Sequence, residues 1–155
     1  MSDIHARQVQ LDELMPLIRE QLAAGGSVSF SPRGTSMLPM LRQGIDTVTL
    51  SPLPDRLRKY DLPLYQRENG QYVLHRVTAA EGDCYTCIGD NQFSPESGLS
   101  HGQMIAIVTA FTRDGRKHTV DERGYQLYCR LWHHSRPVRY LFRRIKEKLK
   151  RMLKI

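Results

Sequence analysis

Three short segments carry residues whose types suit acyl-transfer chemistry. They read Gly34-Thr35-Ser36-Met37-Leu38-Pro39-Met40-Leu41, Val73-Leu74-His75-Arg76-Val77 and Ile88-Gly89-Asp90-Asn91-Gln92. A serine hydroxyl is a poor nucleophile until a neighbouring base removes its proton. His75 is the natural base, because an unperturbed imidazole titrates at about pH 6.5. Such an imidazole needs a partner to set its tautomer and stabilise its charged form, and Asp90 is a candidate. Backbone N–H groups of the Ser36 loop are candidates for an oxyanion hole. Each residue also has an ordinary reading. Ser36 is then a turn serine, His75 a half-buried strand histidine and Asp90 a cap of the Gly-Asp-Asn turn. Sequence order alone leaves these alternatives open.

The elements that must position these residues follow from periodicity. Leu11, Leu14, Met15, Ile18 and Leu22 recur at helical spacing, which predicts a helix over 11–24 stopped by Gly25-Gly26. Pro16 fits only in a first turn, so the helix start is open. Beyond Gly26 the pattern changes to short strands over 27–31, 46–50, 62–66, 71–77, 85–88, 104–113 and 116–120. Asn69-Gly70 and Asp114-Gly115 lie between pairs of these runs. Both predict hairpins, the first with a type I′ turn, whose two central residues need positive φ. The spacing predicts a predominantly antiparallel β body. From about Gly124 helical periodicity returns, with a restart at Pro137. Val138, Leu141, Phe142, Ile145, Leu149, Met152 and Leu153 then form one apolar stripe on a face otherwise opposed by Arg and Lys.

With these residues in view, the chain resembles the signal peptidase / LexA-like serine peptidase superfamily over residues 27–113. Gly-Thr-Ser-Met-Leu-Pro, Leu-His-Arg-Val and Gly-Asp-Asn occur in the order of that family's boxes. His75 in the His-Arg-Val context is similar to the SipW-like and endoplasmic-reticulum-type branch, where histidine stands in place of the lysine of the Ser/Lys enzymes. The resemblance implies Ser36 as nucleophile, His75 as general base and Asp90 as the orienting carboxylate. It also implies that Gly34, Thr35, Met37 and Pro39 shape the loop and substrate groove. The implied fold is mainly β, a coiled antiparallel sheet, with a helical segment over 1–26, a peptidase-like body over 27–121 and a helical basic tail over 122–155. The implied activity is serine endopeptidase cleavage of a peptide, leader or precursor, without a cofactor or metal. Two departures stand out. Tyr60-Asp61 replaces the usual Gly-Asp before the histidine box, and Gly34 replaces a serine that assists the oxyanion in signal peptidase I.

Charge and composition set the wider expectations. The 155 residues carry a formal net charge of +7. Residues 136–155 hold nine Lys or Arg against the single acid Glu147, so the body is close to neutral. A neutral body without a basic stripe, and a tail without an aromatic stacking platform, argue against nucleic acid as a partner. Basic residues beside an apolar stripe suit a helix lying on an anionic membrane surface, through residues 137–155. The competing expectation packs that stripe on its own domain. No apolar run reaches the length of a membrane span, and the N-terminus has no apolar signal core. The expected location is therefore the cytoplasm, peripheral on the inner membrane face. Cys84, Cys87 and Cys129 read as free thiols, since one CxxC without a second pair is weak metal evidence, though Cys129 with His133 or His134 completes a ligand set on paper. Two other functions stay in play. One is a peptide-binding module without turnover, and the other is self-cleavage at Ala24-Gly25.

Overall fold

Leu11, Met15, Ile18 and Leu22 do share a helix face. The computed structural model describes residues 11–154, and its first element, α1, spans Leu11–Ala23. The expected segment over 1–26 thus begins partly outside the described residues. Gly25 takes φ 79°, and the N–H groups of Gly25 and Gly26 return to the carbonyls of Leu22 and Gln21. Those bonds satisfy carbonyls that the helix end would otherwise orphan. Pro16 lies inside the helix rather than in a first turn.

The strands build two antiparallel sheets. Chain order gives β1 (Val28–Phe30), β2 (Val48–Pro52), β3 (Pro63–Gln66), β4 (Tyr72–Leu74), β5 (Arg76–Glu81), β6 (Cys84–Ile88), β7 (Glu96–Ser100), β8 (Met104–Arg113) and β9 (Arg116–Thr119). The larger sheet runs β1-β2-β8-β3-β4, with β9 also on β8, and the smaller runs β5-β6-β7. Two expectations need correction, and one strand, β7, was not expected. The run over 71–77 is two strands, not one, because the chain changes sheet at His75. β7 has no apolar alternation to announce it: of Glu96–Ser100 only Leu99 is buried. The 67–70 turn is not type I′. Gly70 takes φ 88°, but Asn69 keeps a negative φ, and Arg67 N–H closes a longer loop on the Gln71 carbonyl. At Asp114-Gly115 both residues take positive φ, 51° and 75°, as a two-residue hairpin demands.

Two helices follow, α2 over Arg123–His134 and α3 over Arg136–Met152. Helix and strand each take 31% of the described residues, so the class is mixed α/β with a curled antiparallel half-barrel rather than mainly β. The reason is that the strands are short and the C-terminal helices long. Among the described residues, no helix is long and apolar enough to cross a membrane.

Alternation along the strands feeds two cores. Leu62, Leu64, Leu74, Ala106 and Val108 pack with Met15 and Ile18 of α1 and with Tyr125 and Cys129 of α2. Tyr65, Val73, Val77, Cys87, Leu99 and Met104 form the second core, between the sheets. Successive residues of β3 thus enter opposite cores, the period of two expected of a strand covered on both faces.

A buried ion pair ties these layers together. Arg76 at the start of β5 is 2% exposed and Asp90 is 0% exposed. The guanidinium donates to both carboxylate oxygens, at 2.8 and 2.9 Å. Its remaining N–H groups reach the Tyr125 hydroxyl and Cys129 Sγ on α2, Met40 Sδ and the Tyr60 carbonyl. Removing one partner leaves an uncompensated buried charge, which typically costs about 3–5 kcal/mol. Arg76→Met is therefore expected to lower unfolding free energy by that order in urea melts. Arg76→Met with Asp90→Leu should recover part of the loss, because no lone charge then stays buried.

Candidate active site

The site begins with the chain crossing between sheets. β4 ends at Leu74, β5 starts at Arg76, and His75 occupies the step between them. Continuing the β3–β4 register (Tyr65↔Val73) places His75 two residues past the partner of Tyr65. The Tyr65 hydroxyl accordingly lies 3.3 Å from His75 Nδ1. It also lies 3.0 Å from Glu96 Oε1, which itself sits 3.7 Å from Nδ1. Glu96 is in turn gripped by the Arg67 guanidinium.

This network decides a tautomer. The Arg67 guanidinium holds the Glu96 carboxyl below the usual carboxylate range. An ionised carboxylate only accepts, so Tyr65 must donate to it. Burial raises the Tyr65 phenol, keeping that proton in place. The Tyr65 oxygen then accepts from Nδ1–H, and Nε2 is the unprotonated nitrogen of His75. His75 is 3% exposed, and burial pushes its pKa down to about 4, opposed by Glu96. The imidazole is neutral at neutral pH.

Ser36 comes from the opposite side. Gly34 turns the chain with φ 87° and donates to Gln43 Oε1. Met37 and Met40 anchor the following residues in the first core. The Ser36 carbonyl accepts the Asn91 N–H at 2.8 Å, and Asn91 Nδ2 reaches the exposed Thr35 at its carbonyl. Gly89 permits this clamp, since a Cβ there would lie 2.5 Å from the Ser36 oxygen. The Gly-Asp-Asn turn therefore positions the serine loop. Half-buried Ser36 and His75 both line one cleft of about 340 Å³, with Met37, Arg67, Val73 and Gln92. No hydrogen bond joins Ser36 to His75. Among the described residues, none engages the Ser36 N–H.

Two expected roles are redistributed. Both oxygens of Asp90 are taken by Arg76, and Tyr128 adds a third bond at 2.8 Å. The hydrogen-bond partner at His75 Nδ1 is Tyr65, and Asp90 serves the Arg76 network behind the cleft. Pro39 lines a separate hollow beside Phe111 and Tyr125, and its carbonyl accepts from Arg113, so it shapes the loop but not this groove. Gly34, Thr35 and Met37 do line the cleft. Of the cysteines, Cys84 is exposed on β6, Cys87 is buried and Cys129 lies against Arg76. Burial pushes the Cys87 thiol up to about 12.

Tyr65, Arg67 and Glu96 were not singled out by motif, whereas Gln92 lies within the third motif without an assigned role. The two-residue turn expected at Asn69-Gly70 would pair Tyr65 with Leu74 and set it on the face opposite His75; the longer turn shifts the register by one residue, pairs Tyr65 with Val73 and so brings it to His75. Glu96 lies on the strand without alternation, and nothing in its neighbourhood in the sequence marks it.

Two measurements follow from this geometry. The folded pKa of His75 lies below its unfolded value, so the unfolded chain binds more protons between about pH 6.5 and pH 4. Stability is whole above the unfolded pKa and falls as pH drops through this window, by roughly 3 kcal/mol. Urea melts at pH 7 and pH 4.5 should reveal the slope, and His75→Gln should flatten it; an unchanged slope in that variant refutes the assignment. Gly89→Ala should lower stability by about 1–3 kcal/mol, measured by thermal melting, because the Ser36 loop must move away.

Comparison with protein-family models, curated proteins and solved structures finds no match for this chain.

Proposed function

We propose that this protein is a serine endopeptidase in which Ser36 attacks and His75 is the general base. The observation that carries the reading is the meeting of a loop serine and a buried, neutral imidazole in one cleft, with Nδ1 occupied by Tyr65 and Nε2 left as the base. The resemblance of the Ser36, His75 and Asp90 boxes to signal peptidase and LexA-like peptidases supports the same assignment.

In this reading Ser36 Oγ attacks the scissile carbonyl while His75 Nε2 takes its proton. The imidazolium that forms is stabilised by Tyr65 and by the Glu96 carboxylate beyond it, which compensates for a site that disfavours charge. The Ser36 N–H is available to the oxyanion. The proton then passes to the leaving amine, and water releases the acyl-enzyme. The substrate is an extended peptide segment of a leader or precursor. β4, whose residues 72–74 line the cleft, is the terminal strand of its sheet and offers an edge for β-augmentation.

A second reading, a peptide-binding groove without turnover, is favoured by the missing Ser36–His75 hydrogen bond. Catalytic hydrogen bonds are often long before substrate binds, which keeps the peptidase reading ahead.

The deciding experiment incubates wild type, Ser36→Ala and His75→Ala with a complex peptide library and reads new termini by mass spectrometry. Cleavage by wild type alone is expected, with both variants down by roughly 10³-fold or more. Tyr65→Phe should retain cleavage but lose roughly tenfold, since the tautomer is no longer set. On a cleaved peptide, kcat/KM should be level at neutral pH and fall only as pH drops towards about 4, where His75 takes a proton. Saturable peptide binding that Ser36→Ala leaves intact, with no product from wild type, assigns the binding module instead.

A further inference from the structure

The last helix is built unlike the rest of the chain. None of its residues is buried. Val138, Leu141, Phe142, Ile145, Leu149 and Met152 are exposed by between 47% and 70%. At 3.6 residues per turn they fall on one side, and Lys146 and Lys148 lie along its two borders. This stripe is therefore not the inner face of a helix packed on its own domain.

The root of the helix, by contrast, is firmly held. Arg139 stacks on the Trp132 ring at 3.8 Å and donates to the carbonyls of Trp132 and Asp90. Arg136 donates to the Gln92 carbonyl, and Trp132 Nε1 to that of Asp90. The first turn of α3 is thus bonded to the same Gly-Asp-Asn-Gln turn that clamps the Ser36 loop.

We propose that α3 docks on an anionic lipid bilayer, lying in its surface with the apolar stripe in the acyl boundary and the Lys and Arg residues among the headgroups. Charge selects this occupant. Arg143 pairs with Glu147, whereas Lys146, Lys148, Lys150 and Arg151 have no acidic partner among the described residues. A second copy of the helix would bring the same positive charge to an apolar seam already lined with it, and like charges repel. Nucleic acid would neutralise the charge but leave the stripe in water. An anionic bilayer satisfies both faces at once. The proposal is independent of catalysis at Ser36. Its consequence for the molecule is that the bonded root fixes how the cleft is presented to the membrane.

The test uses the full chain with large unilamellar vesicles, either phosphatidylcholine alone or with about one-third phosphatidylserine. Sedimentation is expected with the anionic vesicles, at least about tenfold more strongly than with the neutral ones, and to weaken as salt rises. Leu141→Glu with Phe142→Glu should abolish it while leaving the thermal melt unchanged, because both side chains are exposed. Lys146→Gln with Lys148→Gln and Lys150→Gln should weaken it about a hundredfold without touching the stripe. Ser36→Ala should bind as wild type. Equal binding to neutral vesicles, no binding, or binding that survives the glutamate pair overturns the proposal. So does self-association in equilibrium sedimentation that the glutamate pair abolishes, which assigns the stripe to a second copy.

Discussion

Arg76 and Asp90 meet in a place where neither can be left alone. Both are cut off from water, and an isolated charge there would be far more costly than any single packing contact in the fold. Their pairing makes one guanidinium the common partner of β5, the Gly-Asp-Asn turn, α2 and the loop that follows Ser36. The smaller sheet, α2 and the loops holding Met40 and Tyr60 therefore share a hub that defines their relative placement by direction as well as by distance. Apolar packing alone tolerates sliding, whereas a forked, fully bonded guanidinium accepts few arrangements.

The cleft inherits its order from that hub. His75 immediately precedes Arg76, so fixing the arginine fixes the step between sheets on which the histidine stands. Asp90 immediately follows Gly89 and precedes Asn91, the residues that hold the Ser36 loop. The ion pair thus places both walls of the cleft without a hydrogen bond to the side chain of Ser36 or His75. The polar network at Nδ1 is separate and acts differently. Burial keeps His75 neutral, and Tyr65 with Glu96 supplies the compensation that a transient imidazolium needs. An imidazole that is hard to protonate at rest but countered when charged fits the general-base role proposed for His75.

The C-terminal helix extends the same connectivity outward. Arg136 and Arg139 bond to the turn behind the cleft, and the remainder of α3 leaves the body with its apolar side uncovered. An element rigid at its root and unpartnered along its length can present the body at a defined attitude to whatever covers it. Tyr60 illustrates a local cost of the design. It takes φ 78°, a region that favours glycine, while its N–H and carbonyl bond to Val77 and Arg76. The glycine expected before the histidine box would adopt this conformation freely.

Local chemistry explains what could be read without the structure. The two hairpins, the Gly25-Gly26 helix stop, the break at Pro137 and the apolar stripe of α3 depend on residues within a turn or two of one another, so their signals survive in the sequence. Ser36, His75 and Asp90 each stood out for the same reason, within its own short motif, but Asp90 turned out to serve Arg76 rather than His75. What the sequence could not determine was which partner each polar side chain would choose. Asp90 and Glu96 are both carboxylates within reach of the histidine's surroundings, and folding alone brought Arg76 to one and Tyr65 and Arg67 to the other. Likewise, amphipathicity in α3 was a property of the sequence, while its exposure depended on which surfaces the two cores had already covered. Periodicity reports that a face is apolar; only the packed chain decides whether anything lies against it, because burial is set by contacts between residues far apart in sequence.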